Sequence, residues 1–158
     1  MIICELELAS GSAGHAPRAT PVCAHALGSE LSADEIIEFA ERFDPQPFHL
    51  SEQCAAGTLF ETLAASGWHT AAITMRLVST TSIPIATGII GASIELVWPT
   101  PTRPGDVLQV ELMVDLVTPS RSKPDRGFVR VSYDTINQHH AVRQHTVADL
   151  LAFRERTD

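Results

Sequence analysis

The stretch IIGASIELVWPTPTRPGDVLQVELMVDLVTPSRSKPDRGFVRVSYDTINQHHAVRQHTVADLL, from Ile89 to Leu151, decides the fold. It divides into four runs rich in β-branched residues with partial apolar alternation: Ile89 to Trp98, Val107 to Val117, Gly127 to Ile136 and Ala141 to Leu151. Between them lie P-T-P-T-R-P-G-D, T-P-S-R-S-K-P-D-R-G and N-Q-H-H, composed of residues that end strands and make turns. Four consecutive strands with short breaks read as an antiparallel sheet.

Upstream the period changes to that of helices. Ser32 with Glu35 three residues on forms a capping box, and Ile36, Phe39, Ala40 and Phe43 recur at helical spacing. That helix ends at Asp44, because Pro45 disfavours the helical conformation in the residue before it. Asp44 to His49 reads D-P-Q-P-F-H, and two prolines predict a stiff, non-helical loop. Ser51 to Ala56 suits a helical turn. Ser66 to about Val78 has the alanine, leucine and methionine content of a helix buried on most sides, with Gly67 at its start. Nearer the N-terminus, residues 2 to 8 suit a short strand, Ala9 to Pro21 a loop, and Val22 to Leu27 a second strand ending at Gly28. Helices followed by a run of strands argue for an α+β layer in which a sheet wraps one long helix. They argue against the alternating βαβ order of a nucleotide-binding fold. No internal repeat, G-x-G-x-x-G or P-loop occurs.

At 158 residues the chain is expected to form one domain over 1–158, with residues 1–28 as an N-terminal strand and loop region. The 19 acidic against 11 basic residues give a formal charge of −8, whose field repels phosphate, so neither nucleic acid nor a membrane surface is an expected partner. Arg121, Lys123, Arg126 and Arg130 oppose only Asp125 between Thr118 and Arg130. A solvated hairpin tip is the simpler reading of that cluster, and a phosphate contact to a nucleotide-bearing substrate the other. Cys4, Cys23 and Cys54 form no C-x-x-C pair and suggest reduced thiols in a cytoplasm rather than a disulfide framework. The start MIICELEL lacks a basic segment and reaches Glu5 after three apolar residues, unlike a secretory signal. No run approaches the ~20 apolar residues that span a bilayer.

Asp44 and His49 carry the chemistry. Five residues apart on a proline-stiffened segment, a carboxylate and an imidazole can face one point and share a water. An imidazole gives or takes a proton near neutral pH, and a neighbouring carboxylate fixes its tautomer. On spacing alone, Asp44 as a turn cap and His49 as a satisfied core histidine remain the more frequent alternative. Gly67, in the first turn of a helix, offers an unpaired N–H backed by the positive end of the helix dipole, suited to a developing oxyanion. Close helix packing is the other reason for a glycine there. The remaining histidines show no metal-ligand spacing, and His139 and His140 read as an exposed turn.

These motifs together resemble the MaoC-like acyl dehydratases, which include the R-specific enoyl-CoA hydratases. The resemblance rests on F-A-E-R-F-D-P-Q-P-F-H from Phe39 to His49, A-S-G-W-H-T from Ala65, R-P-G-D from Arg103 and P-S-R-S-K-P-D-R-G from Pro119. It implies the hot-dog fold, a curved antiparallel sheet wrapped around a long central helix, and homodimers. It also implies (R)-specific hydration or dehydration of 2-enoyl and 3-hydroxyacyl thioesters, carried on coenzyme A or an acyl-carrier protein, without a metal or redox cofactor. By the same resemblance Asp44, His49 and Gly67 are catalytic, and Gln46, Phe48, Ser66, Trp68 and His69 contact substrate. Three departures stand out. Gln46 replaces the usual asparagine; Met75 takes the place of a serine found in some hydratases; and Glu61 and Thr62 stand where many members have two glycines.

Two other classes compete. Hot-dog thioesterases would use the same oxyanion donor, but they place an acidic group on the central helix, and Ser66 to Val78 contains no Asp or Glu. A non-catalytic acyl-thioester-binding subunit is the third class, and the intact Asp44 and His49 argue against it.

Overall fold

The computed structural model describes residues 27–80 and 88–153. The strand read over residues 2–8, the loop after it, most of the strand at Val22 to Leu27, and Cys4 and Cys23 lie outside them. The elements are β1 (Leu27–Glu30), α1 (Ala33–Phe43), α2 (Pro47–Leu50), α3 (Glu52–Ala55), α4 (Gly67–Thr80), β2 (Ile90–Val97), β3 (Val107–Pro119), β4 (Arg126–Ile136) and β5 (Val142–Phe153). The five strands form one antiparallel sheet in the order β1-β3-β4-β5-β2.

The four strands read from the sequence form where their alternation places them. Inward residues of β3, β4 and β5, among them Leu108, Val110, Leu112, Val131, Tyr133 and Leu150, close on Leu77 and Val78 of α4. Register shifts between Val114 and Leu116, and between Gly91 and Ser93, bend the sheet around that helix. The β4–β5 turn is organised by Asn137, whose side-chain oxygen accepts from the backbone N–H groups of His139 and Ala141, both at 3.0 Å. This is the α+β hot-dog arrangement, and among the described residues the sheet is open at β1 and β2.

α1 starts as its capping box requires. The Ser32 hydroxyl accepts from Glu35 N–H, and the Glu35 carboxylate accepts from Ser32 N–H at 2.8 Å. Ile36 and Ala40 are fully buried, whereas Phe43 is 69% exposed and lies against Phe39 at 5.0 Å. Phe43 therefore sits past the end of the buried stripe rather than in it.

Two readings of local structure are corrected. Asp44 to His49 is not loop throughout: Pro47 opens the single helical turn α2, which carries Phe48 and His49. Proline at the first helical position lacks only an N–H that would have no partner there, and its fixed φ suits the turn. α4 is buried on one side rather than most. Trp68, Ala72, Met75 and Ser79 form an exposed stripe, while the opposite side inserts Thr70 and Thr74 as well as Leu77 and Val78 into the core. Those threonines are satisfied: Thr70 Oγ1 donates to Thr102 Oγ1 at 2.9 Å, and Thr74 Oγ1 lies 2.8 Å from Thr135 Oγ1.

Candidate active site

The end of α1, the turn α2 and the start of α4 converge on a cavity of about 610 Å³. Asp44, the C-cap of α1, has extended φ of −154°, as the following proline demands, and this swings its carboxylate toward α2. His49 Nε2 lies 3.5 Å from Asp44 Oδ2. The other ring nitrogen, Nδ1, is 2.7 Å from the carbonyl oxygen of Ala64. A carbonyl only accepts, so Nδ1 carries a proton, and in the neutral form of the ring the bare Nε2 lone pair faces Asp44. Two acceptors facing each other require a donor between them, and a water molecule has the two O–H groups to satisfy both.

Asp44 is held at both oxygens. Gln46 Nε2 donates to Oδ1 at 2.7 Å, and Ser66 Oγ donates to Oδ2 at 2.6 Å. Burial pushes the carboxyl pKa up, but the hydrogen bonds from Ser66 and Gln46, with His49 beside them, outweigh it and leave it below the ordinary aspartate value. Asp44 is therefore an anion at neutral pH.

Ser66 does more than hold Asp44. It is the N-cap of α4: its hydroxyl accepts from Trp68 N–H at 3.2 Å and its carbonyl from Thr70 N–H at 3.1 Å. The same hydroxyl thus ties the carboxylate to the helix terminus. Gly67 N–H, next in the chain, has no backbone partner among the described residues and borders the cavity at the positive end of the helix dipole. A Cβ at Gly67 would lie 2.9 Å from two ring atoms of Trp98, so only glycine lets that indole pack against the helix start.

The segment that positions His49 is anchored from a distance. The Arg103 guanidinium donates to the carbonyls of Phe60, Thr62 and Leu63 at 2.7, 2.6 and 3.1 Å, and the Glu52 carboxylate accepts from Leu63 N–H at 2.6 Å. Ala64 N–H donates to Phe48 O at 3.2 Å, which closes the loop on α2 and places Ala64 O under the imidazole. Asp106 fixes the neighbouring wall. It is buried, accepts from Asn137 Nδ2 and Arg103 N–H, and pairs with Arg143 at 2.9 Å.

Of the residues singled out in the sequence, Asp44, Gln46, Phe48, His49, Gly67 and Trp68 line this cavity, and Ser66 reaches it through Asp44. His69 does not. Two residues past Gly67, it lies about 200° around the helix, borders a separate cavity of about 440 Å³ between α1 and α4, and stacks on Phe39 with ring centroids 4.4 Å apart. Burial lowers its pKa, with Glu35 opposing. Trp98, Arg103 and Arg143 had no assigned role. The signal for Trp98 was an aromatic at the end of a strand just before a proline; for the two arginines no local pattern exists, since their partners are about 40 residues away. Two of the four cations of the basic cluster at the β3–β4 hairpin are paired: Arg126 with Asp125 at 2.8 Å, where it also lies over the Phe153 ring, and Arg130 with Asp149 at 2.9 Å. That pairing favours the solvated-tip reading. Among the described residues no helix is long and apolar enough to cross a membrane.

An open hot-dog sheet with an Asp–His pair opposite a helix-start glycine places the chain in the hot-dog class, and similarity to known proteins narrows it to one family. The family model described as "MaoC like domain" matches residues 16–137, and the chain belongs to that family. A MaoC-like dehydratase of Rhodospirillum rubrum of known structure is 51% identical, with a TM-score of 0.80 over 87% of this chain and 95% of that one. An R-hydratase of Pseudomonas aeruginosa is 28% identical, with a TM-score of 0.67 over 86% of this chain and 84% of that one. A 3-hydroxybutyryl-CoA dehydratase of Methylorubrum extorquens is 35% identical over 98 residues; the match spans 61% of this chain and 61% of that protein.

Proposed function

We propose that the protein adds water to trans-2-enoyl thioesters and removes it from (R)-3-hydroxyacyl thioesters. The observation that carries this reading is the pair of acceptors, Asp44 Oδ2 and His49 Nε2, 3.5 Å apart beside the unpaired Gly67 N–H. In the hydration direction Gly67 N–H donates to the thioester carbonyl oxygen and stabilises the enolate that forms as the β-carbon is attacked. The water held by Asp44 and His49 gives its oxygen to the β-carbon. His49 Nε2 takes one of its protons, and the resulting imidazolium, stabilised by anionic Asp44, returns that proton to the α-carbon. One C–O and one C–H bond form, one O–H bond of water and one carbon–carbon π bond are broken, and the thioester is untouched. Water alone balances the reaction, so no metal or redox cofactor enters the scheme.

The R-hydratase of Pseudomonas aeruginosa and the 3-hydroxybutyryl-CoA dehydratase of Methylorubrum extorquens support the same chemistry. The working unit is a homodimer: among the described residues β2 is an edge of the sheet, its inward Ile94 is 60% exposed, and the adjacent stripe of α4 presents Met75 to solvent. With the carbonyl pinned at Gly67, only one face of the alkene meets the water, which fixes the stereochemistry. Supplying the two enantiomers of a 3-hydroxyacyl-CoA separately tests this. Dehydration of the R form alone is expected; consumption of both, of the S form, or of neither would refute the reading.

A further inference from the structure

The catalytic cavity has an end wall. Trp98 packs on Gly67, with its ring 2.9 Å from where a Cβ would stand, so whatever carbonyl sits on the Gly67 N–H has the indole beside it. That ring is fixed from behind: its Nε1 donates to Gln144 Oε1 at 2.9 Å, and fully buried Gln144 in turn donates to Thr146 Oγ1 at 3.0 Å. Trp68, on the first turn of α4, meets it edge to face with ring centroids 5.6 Å apart. Two helical turns along α4 from Trp68, and four residues back along β2 from Trp98, lies a second, apolar cleft of about 210 Å³ lined by Met75, Val78, Ile94 and Leu112 among others. Met75 and Ile94 are also the residues that the proposed homodimer covers, so an acyl tail in this cleft would lie between the two subunits. The two cavities nevertheless share no lining residue, and the residues that border the catalytic cavity on that side are Trp68 and Trp98.

We infer that the Trp68–Trp98 pair closes the acyl end of the active site and confines the protein to short-chain enoyl and 3-hydroxyacyl thioesters. The inference rests on the hydratase reading above. Turning the Trp98 indole breaks its bond to Gln144 and leaves the buried Gln144 side-chain oxygen unpaired, which opposes rotation. Carbons beyond the first few of the chain therefore collide with a fixed ring instead of reaching the apolar cleft. Removing either ring joins the two cavities and gives a longer tail an apolar lining.

The test is kcat/KM for four-carbon and eight-carbon trans-2-enoyl-CoA in wild type, W98L, W68A and W98F, with circular dichroism and sedimentation confirming that each variant keeps its fold and assembly. Trp68 is 62% exposed, so W68A supplies a variant whose folding depends little on the substituted side chain. Wild type should favour the four-carbon substrate. W98L and W68A should raise the eight-to-four ratio by at least about tenfold, the scale on which a hydrophobic pocket discriminates methylenes. W98F, which keeps a ring in place, should stay near the wild-type ratio. A wild type that accepts both lengths equally, or a ratio unmoved in both W98L and W68A, overturns the inference while leaving the hydratase reading intact. A wild type that turns over neither substrate overturns both.

Discussion

Asp44 accepts hydrogen bonds at both carboxylate oxygens and still faces His49, and that combination sets its chemistry. The bond from Ser66 favours the charged form, so removing it raises the Asp44 pKa. A catalytic cycle that needs Asp44 ionised then loses its acid side sooner as pH falls. Ser66→Ala should shift the acidic limb of the kcat/KM profile to higher pH, and Ser66→Thr, which keeps the hydroxyl, should shift it back. A limb that stays in place in the alanine variant would reduce Ser66 to a helix cap. The depressed pKa also has a stability consequence with a definite sign: Asp44 stabilises the fold above its unfolded pKa of about 4, and that contribution disappears as pH drops through the lower folded value. In the proposed mechanism His49 and Asp44 act on one water. His49→Ala and Asp44→Asn should each reduce turnover by about 10² to 10⁴, and the double variant should be scarcely worse than the poorer single one. Multiplying effects would mean two independent roles.

At the scale of elements, the parts set by local chemistry were legible. Ser32 and Glu35 announced the start of α1, Pro45 its end, and the alternation after Ile89 the four long strands. The turn α2 was missed because the same proline that stiffens a loop also suits a helix start, and sequence spacing alone does not separate the two. The placement of His69 was missed because a motif read along the chain ignores the rotation of the helix that carries it. Arg103 was invisible as an anchor because its carbonyl partners belong to a loop 40 or more residues away. That loop holds one conformational cost. Glu61 has φ of 63°, in the left-handed region that favours glycine, at a position where the resembled family often has one. Glu61→Gly should stabilise the protein by up to about 1 kcal/mol, the left-handed penalty less the entropy of a more flexible unfolded chain. Urea denaturation measures this, and a lower midpoint for the variant would show that the Glu61 side chain makes a compensating contribution.

At the scale of the molecule, one chain leaves apolar surface uncovered on the inner side of β2 and along α4, where Met75 and Ile94 stand 41% and 60% exposed. A second copy of the chain applied to the β2 edge would cover both. Sedimentation at micromolar concentration should therefore show a dimer, and a stable monomer would contradict it. In the proposed mechanism the catalytic parts come from separate elements: the carboxylate from the end of α1, the imidazole from α2 and the oxyanion donor from α4. The central claim is that these parts add water to a double bond and leave the thioester intact, and one cuvette tests it. A short trans-2-enoyl-CoA is followed at once for its conjugated absorbance and for free thiol. The account predicts loss of absorbance with no thiol released, whereas thiol appearing in step with that loss, or no change in either signal, would contradict it.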